Sequence, residues 1–248
     1  MIPKIFSLMT YLLLLLSIEN TFAKEIIKFG IATNDDSNLY KGIDKIYSEA
    51  FSALGLAYKS IPCTPYHCSV LASETKIDGE AARHDKYSEL YPKINRVDFI
   101  LFKLTTIALT KKDIPAIHSL KDLKNNNYKI AYQIGYRSYE KTLSQLIKKE
   151  NLTSVNHWRE GLEKIKEDEI DVYIGIKQLI IPDITADESR SLNIHHINNY
   201  IINIHPYIND NLKTIEEPLR KQLLKMRNEN RIKTILTEYG LPLYKPAQ

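Results

Sequence analysis

Glu80 and Arg83 are the residues whose types and spacing best suit the recognition of a charged small molecule. The planar guanidinium of Arg83 can form a bidentate pair with a ligand carboxylate, and Glu80 can hold an ammonium group. Both follow an apparent strand end in an α/β sheet, which is where such folds bind ligands. The structural alternative is an ion pair of Arg83 with Glu80 or Asp85, in which Glu80 only orients the arginine.

A second group of candidate ligand contacts lies at the start of a predicted helix, about fifty residues further along the chain. Its members are Gly135, Tyr136, Arg137 and Ser138. Backbone N–H groups at a helix start favour an anion, and the Arg137 guanidinium adds positive charge. A tight turn followed by a capped helix explains the same residues without a ligand.

Asp35 and Tyr173 complete the set of candidate contacts. Asp35 follows the first predicted strand and can reach the same cleft, although helix capping also explains an acidic residue there. Tyr173 can stack on a ligand, and packing in the core is the alternative. The chain has sixteen tyrosines, so the identity of this one residue is weak evidence.

The elements that must position these residues are predicted to form two α/β lobes. Predicted strands and helices alternate over 25–81, which implies a parallel sheet with helices on its faces. The same alternation returns over 128–175. The dipeptide Ile77-Asp78 recurs as Ile170-Asp171, which suggests that the two lobes are similar, with a cleft between them.

Two extended segments are predicted to connect the lobes. They lie around Thr105 and around Ile202, and no low-complexity linker is present. We therefore predict a first lobe over 24–108 and 203–248 and a second lobe over 109–202. Each lobe is expected to contain a mainly parallel sheet flanked by helices.

The first 23 residues have the features of a cleavable export signal. Lys4 precedes an apolar run that is short for a membrane span, and Thr21 and Ala23 are small residues at the positions that a signal peptidase reads. Cleavage after Ala23 would deliver the protein to the periplasm, and a retained anchor is the alternative. In that oxidising compartment Cys63 and Cys68 are expected to form a local disulfide, with a metal site as the alternative.

Composition limits the classes of function. The chain of 248 residues is 44% hydrophobic and 26% charged, as expected for a folded globular protein. Its formal charge of +4 is spread among acidic residues, so nucleic-acid binding is not expected. The sequence offers no nucleophile elbow or phosphate-binding loop, and His195 and His196 are expected to point to opposite faces of an extended segment, which spoils them as a metal pair. It predicts no cofactor and no metal site. We expect a monomer.

Two segments resemble a known family. Ile117-His-Ser-Leu-Lys-Asp-Leu-Lys, followed by the run from Tyr128 to Gly135, resembles the second-lobe opening of bacterial extracellular solute-binding proteins of family 3, the amino-acid-binding class. The run from Ile77 to Arg83, followed by Tyr91 to Val97, is similar to a subgroup of that family. The resemblance covers nearly the whole exported chain and implies the type 2 periplasmic-binding fold. Arg83 departs from the family pattern, because it stands only five residues after Asp78.

The resemblance implies a periplasmic receptor that performs no chemistry. Two lobes would close on a small polar solute, an amino acid or a related carboxylate or amine, by a hinge near Thr105 and Ile202. The closed form would dock on an inner-membrane ABC-type permease or a sensor. One alternative is a dehydratase of cyclic carboxylic acids, with Glu80 as the acid and Arg83 as the clamp. A sensor or scaffold that has lost its ligand is another.

Overall fold

The computed structural model describes residues 26–33, 36–124 and 126–241. The predicted signal segment lies outside the described residues. Within them, no helix combines the length and the apolar character needed to cross a membrane.

Nine strands of the described chain form one hydrogen-bonded sheet. They are β1 (Ile26–Ile31), β2 (Ala57–Pro62), β3 (Gly79–His84), β4 (Ile94–Arg96), β5 (Phe102–Thr110), β6 (Ile130–Gln133), β7 (Leu152–Val155), β8 (Val172–Ile176) and β9 (Asn193–Asn209).

Eight α-helices accompany the sheet in the same part of the chain. They are α1 (Asn38–Ala53), α2 (Pro65–Ser73), α3 (Arg137–Leu146), α4 (Trp158–Lys166), α5 (Lys177–Ile180), α6 (Ala186–Ser191), α7 (Glu216–Asn228) and α8 (Arg231–Glu238). Short 3₁₀ segments lie at Tyr87–Glu89, Leu120–Leu123, Lys149–Asn151 and Asp210–Ile215.

The sheet has two similar ends joined by two long strands. Its order is β2-β1-β3-β9-β5-β8-β6-β7, and β4 pairs with β9. The triplet β2-β1-β3 is parallel, as is the triplet β7-β6-β8, whereas β9 and β5 run antiparallel to their neighbours. We call the first triplet with its helices the first lobe and the second triplet with its helices the second lobe. The predicted two-lobed α/β fold with two strand-like crossings is confirmed, and the exact lobe boundaries stay a prediction.

The repeated Ile-Asp step has the same structural role in both lobes. Asp78 accepts a hydrogen bond from the Lys28 backbone N–H at 2.8 Å and donates its own N–H to the Lys28 carbonyl at 2.7 Å. Asp171 makes the matching pair with Lys129, at 2.9 and 2.8 Å. Each aspartate thus joins the start of β3 or β8 to the neighbouring parallel strand. Both lie at the amino ends of their strands and not at the carboxyl ends where the cleft forms.

The first lobe packs α1 between the sheet and the two C-terminal helices. Ile43, Ile46 and Ala50 recur at helical spacing on α1 and are buried, so this face covers Phe29 of β1. The helices α7 and α8 pack against α1 with buried side chains of their own. The first lobe is therefore assembled from the two ends of the described chain.

A separate cluster of the second lobe surrounds Tyr173. Trp158, Leu162 and Ile165 of α4 are buried in this cluster with Tyr173. A Cβ atom on Gly161 would overlap the tyrosine ring, so glycine is needed for this close approach of helix and strand. Tyr173 is consequently fixed in the core.

Candidate functional site

A cavity of about 200 Å³ lies where the two lobes meet. Its first-lobe wall comes from the carboxyl ends of β1 and β3, from α1 and from the start of α2. Its second-lobe wall comes from the ends of β6 and β8, from the start of α3 and from α5. The crossing strands β5 and β9 form the floor through Phe102, Leu104, Ile202 and Ile204. The position at strand carboxyl ends is the one that α/β folds use for ligands.

Arg83 lines this cavity, but most of its guanidinium is engaged within the protein. It forms an ion pair with Glu80, and its Nη2 donates to the Pro65 carbonyl at 2.7 Å and to Ser69 Oγ at 3.4 Å. The guanidinium carbon lies 5.1 Å from the centre of the Tyr87 ring. Only 10% of the Arg83 side chain is exposed.

Glu80 lies behind Arg83 and does not line the cavity. Its side chain is 1% exposed and also accepts a hydrogen bond from the Tyr87 hydroxyl, which lies 2.7 Å from Ser69 Oγ. Burial raises the pKa of the Glu80 carboxyl, and Arg83 and Tyr87 oppose this shift. Glu80, Arg83, Tyr87 and Ser69 thus form one network, which we call the Glu80 network.

A bulge in β3 creates the pairing of Glu80 with Arg83. Against β9, Glu80 lies opposite Tyr207 and Arg83 lies opposite His205, so β3 contains one extra residue. Side chains three residues apart in a regular strand point to opposite faces of the sheet. The extra residue interrupts that alternation, and Glu80 and Arg83 consequently meet on one face.

The segment from Gly135 to Ser138 lies opposite the Glu80 network, and all four of its residues line the cavity. Gly135 has a φ of +94°, a backbone conformation that favours glycine. Helix α3 then begins at Arg137 without a side-chain cap. Its first N–H groups and the positive end of the helix dipole therefore lie beside the cavity.

Arg137 differs from Arg83 because its guanidinium is not engaged by any residue that the structure describes. Its side chain is exposed and forms no hydrogen bond or ion pair with any residue that the structure describes. The neighbouring Tyr136 is partly buried, and this burial raises its pKa to about 12. Arg137 is therefore a positive charge on the cavity wall that no described residue engages.

His84 adds a titratable group between the two arginines. It follows Arg83 at the end of β3 and lines the cavity, and its Nδ1 accepts the Lys86 backbone N–H at 3.3 Å. Burial lowers the pKa of the imidazole, with Arg83 adding to the shift. The ring is accordingly neutral near pH 7, with Nε2 as its remaining polar atom.

A wider space of about 880 Å³ continues from the cavity and shares His84, Arg137, Ser138 and Ile202 with it. One rim carries Asp85, Lys86 and Glu89 of the first lobe, and the other carries Glu140 and Lys141 of α3. We call this space the outer cleft. Charges of both signs face each other across it.

The remaining predicted contacts lie elsewhere. Tyr173 does not line the cavity, because its ring is held in the second-lobe core. Asp35 lies outside the described residues. The cysteine prediction is confirmed, since Cys63 and Cys68 form a disulfide with their Cα atoms 5.4 Å apart. Cys63 lies just before α2 and Cys68 lies within it. The same helix supplies Ser69 to the Glu80 network and the Pro65 carbonyl to Arg83.

Several lining residues were not among the predicted contacts. His84 adjoins Arg83, and its position at a strand end was a usable signal. Phe102, Leu104 and Ile204 lie on the crossing strands, where an apolar residue predicts core packing equally well. Gln133 and Ile134 precede the predicted glycine turn and could have been found by extending that segment.

Comparison with known sequences gives a distant relative of unknown role. No protein-family model matches the chain. An uncharacterized protein of Shewanella oneidensis is 25% identical over 198 residues, which cover 77% of this chain and 72% of that protein.

Solved structures identify the fold. The substrate-binding protein of an amino-acid ABC transporter has a TM-score of 0.65 at 14% identity, covering 87% of this chain and 99% of its own. A histidine kinase sensor domain with similarity to periplasmic binding proteins has a TM-score of 0.72 at 10% identity, covering 90% and 98%. An ancestral amino-acid-binding protein, a precursor of cyclohexadienyl dehydratase, has a TM-score of 0.66 at 13% identity, covering 88% and 96%. The chain therefore has the two-lobed fold of the amino-acid-binding periplasmic proteins.

Proposed function

We propose that the protein is a periplasmic receptor that captures a small solute between its lobes and delivers it to an ABC-type permease. The observation that carries this proposal is the cavity between the lobes, to which the carboxyl ends of β1, β3 and β6 and the start of α3 all contribute. A cavity of about 200 Å³ suits a small molecule and not a polymer.

Exposed apolar residues at the cleft support closure around the solute. Ile134 is 59% exposed and lines the cavity, while Leu90 and Ile201 are 45% and 53% exposed and line the outer cleft. Exposed apolar surface in a concave, shared site is typical of a surface that becomes buried on binding. Closure of the lobes would remove these side chains from water.

The crossing strands are suited to act as the hinge. The pairing of β5 with β9 shifts register between Thr105 and Thr106, whose partners are Ile201 and Ile197. Three residues of β9 bulge out at this point, and the ring of Tyr200 among them lies 5.5 Å from the ring of Tyr139 of α3, centre to centre. Gln178 accepts the Thr105 backbone N–H at 2.9 Å and so holds the other strand. A crossing strand can bend at a point where its regular pairing with the neighbouring strand is interrupted.

The geometry around Glu80 favours a binding role over a catalytic one. A dehydratase would need an acid that reaches its substrate. Glu80 is buried behind Arg83 and hydrogen-bonded to Tyr87, so it is poorly placed for proton transfer to a molecule in the cavity. We therefore propose that Glu80 positions Arg83.

A membrane sensor is the second candidate partner, favoured by the likeness to a histidine kinase sensor domain. In either case the closed form would be the species that docks. We propose that the receptor is a monomer exported by the segment before Lys24. Amino-terminal sequencing of protein recovered from the periplasm should begin at Lys24, and a start at Met1 would contradict cleavage.

The receptor proposal is tested by a ligand screen combined with a measurement of shape. Amino acids, polyamines, sugars and small carboxylates are tested for thermal stabilisation, since a ligand at a hundred times its Kd adds about 2.7 kcal/mol. Small-angle X-ray scattering should then show compaction with each stabilising ligand and none with inactive compounds. Stabilisation without compaction would contradict closure, and no stabilisation by any compound would contradict the receptor proposal.

A further inference from the structure

Resting on the receptor function proposed above, we infer that the captured solute is an organic monoanion with an apolar body and no ammonium group. A branched-chain or arylalkyl carboxylic acid has this chemistry. The inference follows from the charges that line the cavity, from the apolar character of its walls and from its size.

Among the described residues, the cavity lining carries positive charge and no acidic side chain. None of the lining residues that the structure describes is an aspartate or a glutamate, whereas Arg83 and Arg137 both line the cavity. Glu80 offsets the charge of Arg83 from behind. Arg137 has no ion-pair partner among the described residues and is therefore available to pair with an anionic solute.

The anionic end of the solute has a defined place at the start of α3. Arg137 and Ser138 lie there together with the first N–H groups of an uncapped helix. A carboxylate can accept hydrogen bonds from these groups, and charge-assisted bonds of this kind are among the stronger ones in proteins. His84 of the first lobe also lines the cavity and adds a polar group there.

The rest of the cavity suits an apolar body. Its walls include Ile31, Leu39, Phe102, Ile176, Leu179 and Ile204. An apolar cavity of about 150 Å³ accommodates benzene, so about 200 Å³ is enough for one ring or one branched chain beside a carboxylate.

An α-amino acid held inside the cavity would place its ammonium group beside no acidic side chain among the described lining residues. A buried cation without a partner is strongly disfavoured. Asp36 is exposed and does not line the cavity. Asp35 lies outside the described residues, and its role is therefore decided by the experiment.

The experiment compares matched compounds by isothermal titration calorimetry of the purified protein. 3-Phenylpropionate, L-phenylalanine and 2-phenylethylamine share one body and differ only in their charged groups, as do 4-methylvalerate, L-leucine and isoamylamine. At least one of the two acids should bind at least tenfold more tightly than its amino acid, and neither amine should bind. Arg137→Gln should weaken binding of that acid at least tenfold, whereas the exposed control Arg190→Gln should leave its affinity unchanged.

Other results would overturn the inference in distinguishable ways. If an amino acid binds as tightly as its acid and Asp35→Asn removes that binding, the solute class is wrong while the receptor function stands. If none of the six compounds binds but a sugar or polyamine does, the class is again wrong and the receptor function again stands. If none of the six compounds binds and no sugar or polyamine binds, both proposals fail.

Discussion

The two sides of the cleft each present an arginine, but only one of these arginines is free. Arg83 in the first lobe is engaged by Glu80, by the Pro65 carbonyl and by the ring of Tyr87. Arg137 in the second lobe is exposed and has no partner among the described residues. The comparison shows that residue type alone does not identify a ligand contact. The groups already bonded to a side chain decide whether it is available.

The difference has a cause in the backbone. The bulge in β3 brings Glu80 and Arg83 to the same face of the sheet, where burial makes each depend on the other. Arg137 lies at the first position of a helix, where the chain supplies N–H donors but no acceptor for its guanidinium. We therefore expect the first arginine to stabilise its lobe, and we propose that the second contacts the solute.

Arg83→Ala should produce the largest change. Removing the guanidinium leaves the buried Glu80 carboxyl without its partner, and breaking a buried ion pair in this way costs about 3–5 kcal/mol. Urea unfolding should show this loss of stability. If the variant keeps its stability but loses all solute binding, Arg83 and not Arg137 is the arginine that binds the solute.

The matched control for that variant is the double substitution Glu80→Leu and Arg83→Met. It removes both charges, so no unpaired buried group remains, and it should be clearly more stable than Arg83→Ala. Equal instability of the two variants would show that packing, and not an unpaired charge, accounts for the loss.

Removal of the disulfide should have the next largest effect. Cys63→Ser with Cys68→Ser should cost about 2 kcal/mol or less, because a loop this short restrains the unfolded chain only slightly. The bond holds the start of α2, whose Pro65 carbonyl accepts a hydrogen bond from Arg83, and neither cysteine lines the cavity. Differential scanning calorimetry should therefore show a lower Tm, while calorimetric titration should show nearly unchanged solute affinity. A large loss of affinity would link the first-lobe wall directly to recognition.

Arg137→Gln should change binding and not stability. Loss of one charge-assisted hydrogen bond should weaken the affinity for an anionic solute about tenfold, or about 1.4 kcal/mol. The free energy of unfolding should stay within about 0.5 kcal/mol of the wild type, as for most surface substitutions. A marked fall in stability would show that Arg137, like Arg83, makes contacts that stabilise the folded protein.

The smallest effect expected is a dependence of stability on pH through His84. Burial lowers its pKa in the folded state, so the unfolded chain binds protons more readily as the pH falls through the ordinary histidine value of about 6.5. Stability should therefore decline below that pH. In urea unfolding at pH 7.5 and 5.5, His84→Gln should lose less stability than the wild type, and equal losses would contradict a neutral, partly buried ring.

Much of the fold could be predicted from the sequence because it follows from local patterns. Alternating strands and helices gave the two parallel triplets, and the apolar spacing on α1 gave its buried face. The short helices α5 and α6 were not anticipated, since 4 and 6 residues are too few for a clear periodicity. The repeated Ile-Asp step correctly indicated repeated lobes, although it lies at the strand ends away from the cleft.

The site was less predictable because it depends on long-range contacts. The segment from Gly135 to Ser138 lines the cavity, as a glycine turn before a helix suggested. The engagement of Arg83 depends on Ser69 and Pro65 of another helix, and on a bulge defined by pairing with β9. The burial of Tyr173 depends on Gly161 of α4. None of these partners is adjacent in sequence.

The placement of β9 also governs the order in which the chain can assemble. Strands β5 to β8 and the helices between them form a nearly contiguous stretch, so the second lobe can form most of its structure early. The first lobe cannot, because β3 must wait for β9 near the end of the chain, where Glu80 pairs with Tyr207. Until β9 has formed, one edge of β3 has unpaired backbone groups that can associate with other chains. A truncated product that stops before residue 204 is accordingly expected to aggregate through its amino-terminal half.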